Sequence, residues 1–408
     1  MRRTTFSILR PVAPGVAFAA AIAAVAPTAN AQPSENNAEQ ILAIAEDAIA
    51  RYDLRSVIVQ VVVDGDEVVT AAFGESMPGV PATPDMHFRN GAIAISYLAT
   101  LLLQLVDEGV VGLDDPIEEW LPELPDADRV TLRMLSNMTA GYPDYVQNDA
   151  LDAALYADPF RQFTPDELIA IGLSTPRVFA PGTNWDYSHT NLVILGRALE
   201  RITGVPLDTM MRERIFEPLG MENTGDPGTP AIAEPVLHAY SSERRGPLGI
   251  DPSIRFYEES TYWNPSWTFA EGAIQFTNID DMTTGMIAVG TGALLSPEMH
   301  AAQIDPALLG FGESLEGCPN CHELDRYYSY GLGLVIADQW IFQNPVFHGY
   351  AAIAGYLPSE DIAISIAATF AEDAFDAEGN IVSIRAPYLL MAEIGALLAP
   401  DQPPPLRQ

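Results

Sequence analysis

The chain has 408 residues, 48% of them hydrophobic, enough for one large domain or two smaller ones around a sizeable core. Its formal net charge of −35 and pI near 4.2 describe an acidic surface that repels nucleic acid and anionic lipid, so neither is an expected partner. All 20 basic residues are arginine, and no lysine occurs anywhere, which removes a side chain that many hydrolases use to move protons.

Taken in chain order, residues 1–31 read as a secretory signal peptide. Arg2 and Arg3 supply a positive start, an alanine-rich apolar stretch runs over residues 16–25, and Ala29-Asn30-Ala31 is an A-x-A cleavage site before Gln32. A membrane anchor is the competing reading, but the apolar run is shorter than the ~20 residues a spanning helix needs. No cysteine follows the cleavage site, which argues against a lipoprotein anchor. The expected product is secreted or free in the cell envelope, with no membrane span after signal cleavage.

Residues 55–64 predict a strand, with Val57, Val59, Val61 and Val63 at period two. Asp64-Gly65-Asp66 turns the chain into a second strand over 67–73. From 92 to 108 the pattern becomes helical, with Gly109 as its stop. Residues up to about 295 read as helix and loop, punctuated by Pro and Gly, and strands return at 330–336, 340–347 and 361–369. A final apolar helix is expected over 387–398, and residues 401–408 read as a loose tail. This order predicts an α+β domain over 32–400. Its antiparallel sheet lobe comes from about 32–91 and 325–400, with a mainly helical lobe inserted at about 92–324. A site is expected in the cleft between the lobes.

Cys318-Pro319-Asn320-Cys321 reads as a small loop disulfide in an exported chain. A redox dithiol lacks its βαβ context, and a single CxxC beside His322 is weak evidence for zinc. No metal-ligand cluster and no nucleotide loop stand out, so no cofactor is expected.

Four separate segments carry a family resemblance. Phe88 to Ile117 reads FRNGAIAISY followed by LATLLLQLVDEGVVGLDDPI. Val130 to Tyr145 reads VTLRMLSNMTAGYPDY, and Phe179 to Gly204 reads FAPGTNWDYSHTNLVILGRALERITG. IFEPLGMENT follows at 215–224. In this order they resemble penicillin-binding and class C β-lactamase-like serine hydrolases, whose first segment usually reads FRIGS-x-x-K followed by LQLVEEGKLSLDDPV. The resemblance implies a β-lactamase/transpeptidase-like fold and acyl transfer by a serine that a lysine one turn later activates. It also implies a tyrosine in Tyr-x-Asn, and a strand bearing His-x-Gly or Lys-Thr-Gly that completes the oxyanion hole.

Carried over position by position, the serine becomes Ala92 and the lysine becomes Ile95. Ser96 is the nearest hydroxyl and reads as a helix-packing serine. Tyr187-Ser188-His189 stands for Tyr-x-Asn, so the tyrosine is kept and His189 replaces the asparagine. His348-Gly349 invites a His-x-Gly reading, but the segment 349–358 resembles the family's GFSSFLGYDP without a gap. That register puts the third motif at Gln343-Asn344-Pro345, where a proline without an N–H would weaken strand-like docking of a peptide. The first expectation is a catalytically inactive pseudoenzyme that binds a cell-wall peptide or an envelope protein in the old cleft. The alternative is a hydrolase of esters, amides or β-lactams rebuilt around Tyr187 and His189. A purely structural, partner-binding protein would differ from the first only in leaving the cleft unused.

Overall fold

β-Branched residues dominate Leu54–Val63 (β1), and such side chains suit a pleated strand. Asp64 and Gly65, at φ of 52° and 79°, turn the chain into Asp66–Met77 (β2), which pairs antiparallel with β1. A short Val80–Pro81 (β3) closes that edge. The C-terminal part supplies Ser329–Tyr330 (β4), Val335–Ala337 (β5), Trp340–Gln343 (β6), Val346–Phe347 (β7), Tyr350–Leu357 (β8) and Ile362–Phe370 (β9). The sheet runs β3-β2-β1-β9-β8-β6-β5-β4, with β7 beside β8, and its pairs are antiparallel. The seam between β1 and β9 joins the two chain ends, as the expected antiparallel sheet requires. These statements come from a computed structural model that describes residues 35–407, and the expected signal peptide 1–31 lies outside them.

Three helices cover the sheet. Glu35–Arg51 (α1) and Ala386–Leu398 (α5) pack on each other and on one face. Ile279–Thr291 (α4) packs on the other, where Gly290 leaves room for the Tyr356 ring. Its neighbour Gly355 faces the opposite way and lies against Met391 of α5. With both faces covered, β8 and β9 are buried at every position, so they read as apolar runs instead of the alternation that a half-exposed strand shows.

Ile93–Asp107 (α2) runs through the interior, with nearly every side chain buried. Each large apolar side chain sequestered there contributes roughly 1.5–3 kcal/mol before chain entropy is counted. His189–Thr203 (α3) lies in the helical lobe and ends at Gly204, whose φ of 70° supplies a left-handed cap.

Three sequence expectations are corrected. The strand expected over 330–336 is a hairpin instead, because β4 stops at Tyr330, β5 starts at Val335 and the two pair antiparallel. The strand expected over 340–347 is broken, because β6 stops at Gln343 and β7 starts at Val346. Pro345 between them accepts a hydrogen bond from the Ala352 N–H at 3.0 Å but has no N–H to return. The C-terminal segment is docked where a loose tail was expected: Trp340 Nε1 donates to the Gln402 carbonyl at 2.8 Å, and the Tyr388 hydroxyl donates to the Pro405 carbonyl at 2.5 Å. Pro404 and Pro405 are buried there, so apolar contact and satisfied carbonyls hold a segment whose composition alone suggests a free end. Among the described residues no helix is long and apolar enough to cross a membrane.

Candidate active site

A cleft of about 720 Å³ opens between the sheet lobe and the helical lobe. Ala92, Tyr187, His189, Asn344 and Pro345 all line it, so three segments far apart in sequence converge on one place. Ala92 is the N-terminal cap of α2, a position that aims the first side chain of the helix at the cleft. A methyl group stands there, with no oxygen to attack a carbonyl. Gly91, just before it, has φ of 53°, and a Cβ on it would lie 2.4 Å from the Pro345 Cβ. The proline ring therefore packs directly against the backbone at the head of α2.

Ile95 does not reach the cleft. It is 2% exposed and belongs to the core, where Gly333 comes so close that a Cβ would lie 2.7 Å from the Ile95 carbonyl oxygen. Ser96 is also enclosed, and its hydroxyl donates to the Ile93 carbonyl at 2.7 Å, as expected of a helix-packing serine. Gln343 is buried, and its Nε2 donates to the Gly333 carbonyl at 2.8 Å, so Asn344 and Pro345 form the cleft wall from this motif. His348 lies outside the cleft wall and pairs through Nδ1 with Glu243 Oε2 at 3.3 Å.

Tyr187 is half-buried, 6.3 Å from Tyr330 and 5.2 Å from His189 between ring centroids. Among the described residues its hydroxyl has no hydrogen-bond partner. Burial pushes its pKa well above the usual phenol value, and the neighbouring Tyr330, Tyr328 and Asp144 push the same way. No cation opposes them, so the phenol is neutral at physiological pH and cannot act as a ready base.

His189 opens α3, and Asp144 holds it from below. Asp144 Oδ1 accepts from the His189 N–H at 3.0 Å and from the Val146 N–H at 3.1 Å, and lies 3.2 Å from His189 Nδ1. A carboxylate at Nδ1 favours the tautomer that carries its proton there, leaving Nε2 as an acceptor. Phe269 stacks on the imidazole at 5.7 Å. Asp144 lies in the GYPDY segment, whose resemblance was legible in the sequence, but its role was not. That role exists only because the loop folds back under α3.

The disulfide Cys318–Cys321 is formed, with Cα atoms 5.4 Å apart, and it carries Pro319 and Asn320 in the cleft wall. Asp186 lies beside the two sulfurs. Burial raises its pKa to about 7, the Asp144 charge adds to the rise, and a hydrogen bond from Asn320 opposes it. Both cysteines are spent on each other, so this trio offers one carboxylate and no thiolate to a cation.

Comparison with known proteins agrees with this layout. The family described as "Beta-lactamase" matches residues 39–386. Esterase EstB of Burkholderia gladioli is 29% identical over 313 residues, 71% of this chain and 79% of the esterase. Penicillin-binding protein 4 of Amycolatopsis lactamdurans is 33% identical over 200 residues, so the match spans about half of each protein, 47% and 49%. Among solved structures, a D-stereospecific amidohydrolase from Streptomyces sp. superimposes with a TM-score of 0.69 at 25% identity, covering 87% of this chain and 99% of that one. The D-amino acid amidase of Ochrobactrum anthropi gives a TM-score of 0.71 at 23% identity, covering 88% and 98%, a likeness of fold. With the family matched over most of its length, this chain belongs to the β-lactamase family.

Proposed function

We propose that this protein is an exported, non-acylating member of the family that uses the inherited cleft to bind a cell-wall peptide or an envelope protein. The observation that carries the reading is Ala92 at the head of α2 in the cleft wall. Around it, Ile95 is sealed in the core, the Ser96 hydroxyl is occupied, and the chain has no lysine. Loss of the nucleophile from such a unit costs roughly 10⁶-fold in rate in a well-studied hydrolase. The test is to incubate the mature protein with a fluorescent penicillin and read labelling on a denaturing gel. No covalent label is expected, and a stoichiometric adduct would falsify the reading.

A second reading has a specific observation in its favour. Asp144 orients His189 toward the cleft, which is the arrangement of a general base with its positioning carboxylate. Such a base could activate water against an ester, amide or lactam without an acyl-enzyme. Hydrolysis of a nitrophenyl ester separates the two readings. The first expects wild type and His189→Ala to differ by less than about twofold. The second expects a loss of about 10²-fold or more in His189→Ala and in Asp144→Ala.

A further inference from the structure

Cys318 and Cys321 stand three positions apart, so their disulfide closes a very short loop. The stability a cross-link gives grows with the length of loop it closes, and this one staples little. The segment is also held without it. Asn184 Nδ2 donates to the Glu313 carbonyl at 3.0 Å, its Oδ1 accepts from the Glu313 N–H at 2.9 Å, and the Gly310 N–H donates to the Leu324 carbonyl at 2.7 Å. Beside the cystine stands a carboxyl that a purely structural cross-link has no use for. A carboxylate oxygen of Asp186 and the two sulfurs lie within 4.8 Å of one another, and all three residues are buried. We infer that Cys318–Cys321 is a redox-active disulfide that exchanges with a dithiol, with Asp186 carrying the proton of the exchange. This chemistry does not depend on what the cleft binds.

In the reducing direction a thiolate of the dithiol attacks the Cys318 sulfur, which belongs to the more accessible residue of the pair, 7% exposed against 4% for Cys321. The S–S bond breaks, a mixed disulfide forms, and Cys321 leaves as a thiolate. Asp186 gives that thiolate its proton, directly or through one water. The partner's second thiol, deprotonated by the Asp186 carboxylate, then attacks the mixed disulfide and releases Cys318. Cys318 takes the proton that the first thiol shed to water. Two electrons pass to the protein, the dithiol is oxidised to its disulfide, and Asp186 ends with the proton it began with.

The surroundings suit Asp186 to this task. Burial raises its pKa to about 7, the Asp144 charge adds to the rise, and a hydrogen bond from Asn320 opposes it. His322, in the cystine loop, is engaged elsewhere, with its Nδ1 2.7 Å from the Asn320 carbonyl oxygen and its ring edge-on to Trp185. A proton carrier works best when its pKa matches the working pH. The partner enters by the cleft, because Pro319 and Asn320, the two residues between the cysteines, line its wall. The sequence shows the two cysteines without the context of a redox dithiol. Asp186, far earlier in the chain, supplies the proton carrier that such a centre needs.

The test uses dithiothreitol as the probe on the folded protein, with iodoacetamide trapping and intact mass to count freed thiols. Wild type is expected to yield both thiols with its fold kept, melting within a few degrees of the oxidised form. Asp186→Asn should slow reduction about tenfold at pH 6, where the wild-type carboxyl holds its proton. The gap should close by pH 8, where that proton is lost. Taking the ratio of variant to wild type at each pH cancels the ionisation of dithiothreitol itself. Asp144→Asn removes a charge that raises the Asp186 pKa, so it should move the transition to lower pH. A cystine that is reduced only after the protein is unfolded in urea would overturn the inference. So would reduction of the folded protein at a rate that Asp186→Asn leaves unchanged, or slows equally at every pH.

Discussion

At the residue scale, chemistry is decided by Ala92 and by what surrounds it. Restoring the oxygen alone should not restore the enzyme. Ala92→Ser has no lysine to take its proton and faces a Tyr187 phenol that stays protonated. Its nitrocefin hydrolysis is expected within about tenfold of wild type, far short of the roughly 10⁶-fold that an intact unit supplies. The contact between Gly91 and Pro345 predicts a coupled pair. Gly91→Ala meets both a positive φ and the proline ring, and should cost about 1–3 kcal/mol in urea denaturation. Pro345→Gly in the same chain should recover the part due to the clash and leave the part due to φ, a non-additivity that a double-mutant cycle reads. Asp186 predicts a pH dependence. Its folded pKa of about 7 lies above the ordinary value of 3.8, so the folded state binds the extra proton between those limits. Its favourable contribution is complete below about pH 4 and is lost as pH rises through 7. Asp186→Asn should therefore gain stability over wild type at pH 8, by up to about 4 kcal/mol, and show little gain at pH 4.

At the element scale, α2 is a core helix, with nearly every side chain buried. The one-turn spacing that would bring a lysine beneath a serine now carries an isoleucine packed under Gly333. Ile95→Lys is expected to destabilise the fold by several kcal/mol, because the ammonium would enter an apolar site with no carboxylate to pair. A lower midpoint in thermal denaturation checks this, with Ile95→Leu as the near-neutral control. The broken β6–β7 edge is the second altered element. Pro345 offers no N–H at this break, so a ligand held as proposed would rely on side chains and on shape more than on strand addition.

At the scale of the whole molecule, the C-terminal segment ties the sheet lobe to the cleft. It covers the Trp340 indole, satisfies Tyr388 and delivers Arg407 to the rim. Deleting residues 401–408 should lower the melting temperature by several degrees and shift tryptophan emission to longer wavelength, as Trp340 becomes wet. The acidic composition stops at the cleft, whose lining includes no Asp or Glu, so charge is divided unevenly between the exterior and the pocket.

Much of this was legible in the sequence, because local and composition-borne signals carried it. The valine periodicity of β1, the apolar run of α2, the ordered motifs and the missing serine and lysine are all written within short windows of chain. They determined the fold class and which residues stand at the positions that the resemblance matches to serine and lysine. What they could not carry depends on residues far apart in the chain. The strand over 350–357, buried on both faces, offers no alternation to read, whereas the helix over 35–51 is legible in the spacing of Ile41, Ala45 and Ala48 and was not among the expected elements. The support of His189 by Asp144, the separation of Gln343 from the cleft, the docking of the tail and the gathering of three arginines without a single acid arise only when the lobes close on each other. Sequence alone determined which side chains stand at the positions that the resemblance matches, since side chains belong to residues. Only the tertiary structure decided what the cleft still offers, since burial, charge balance and shape belong to the space between them.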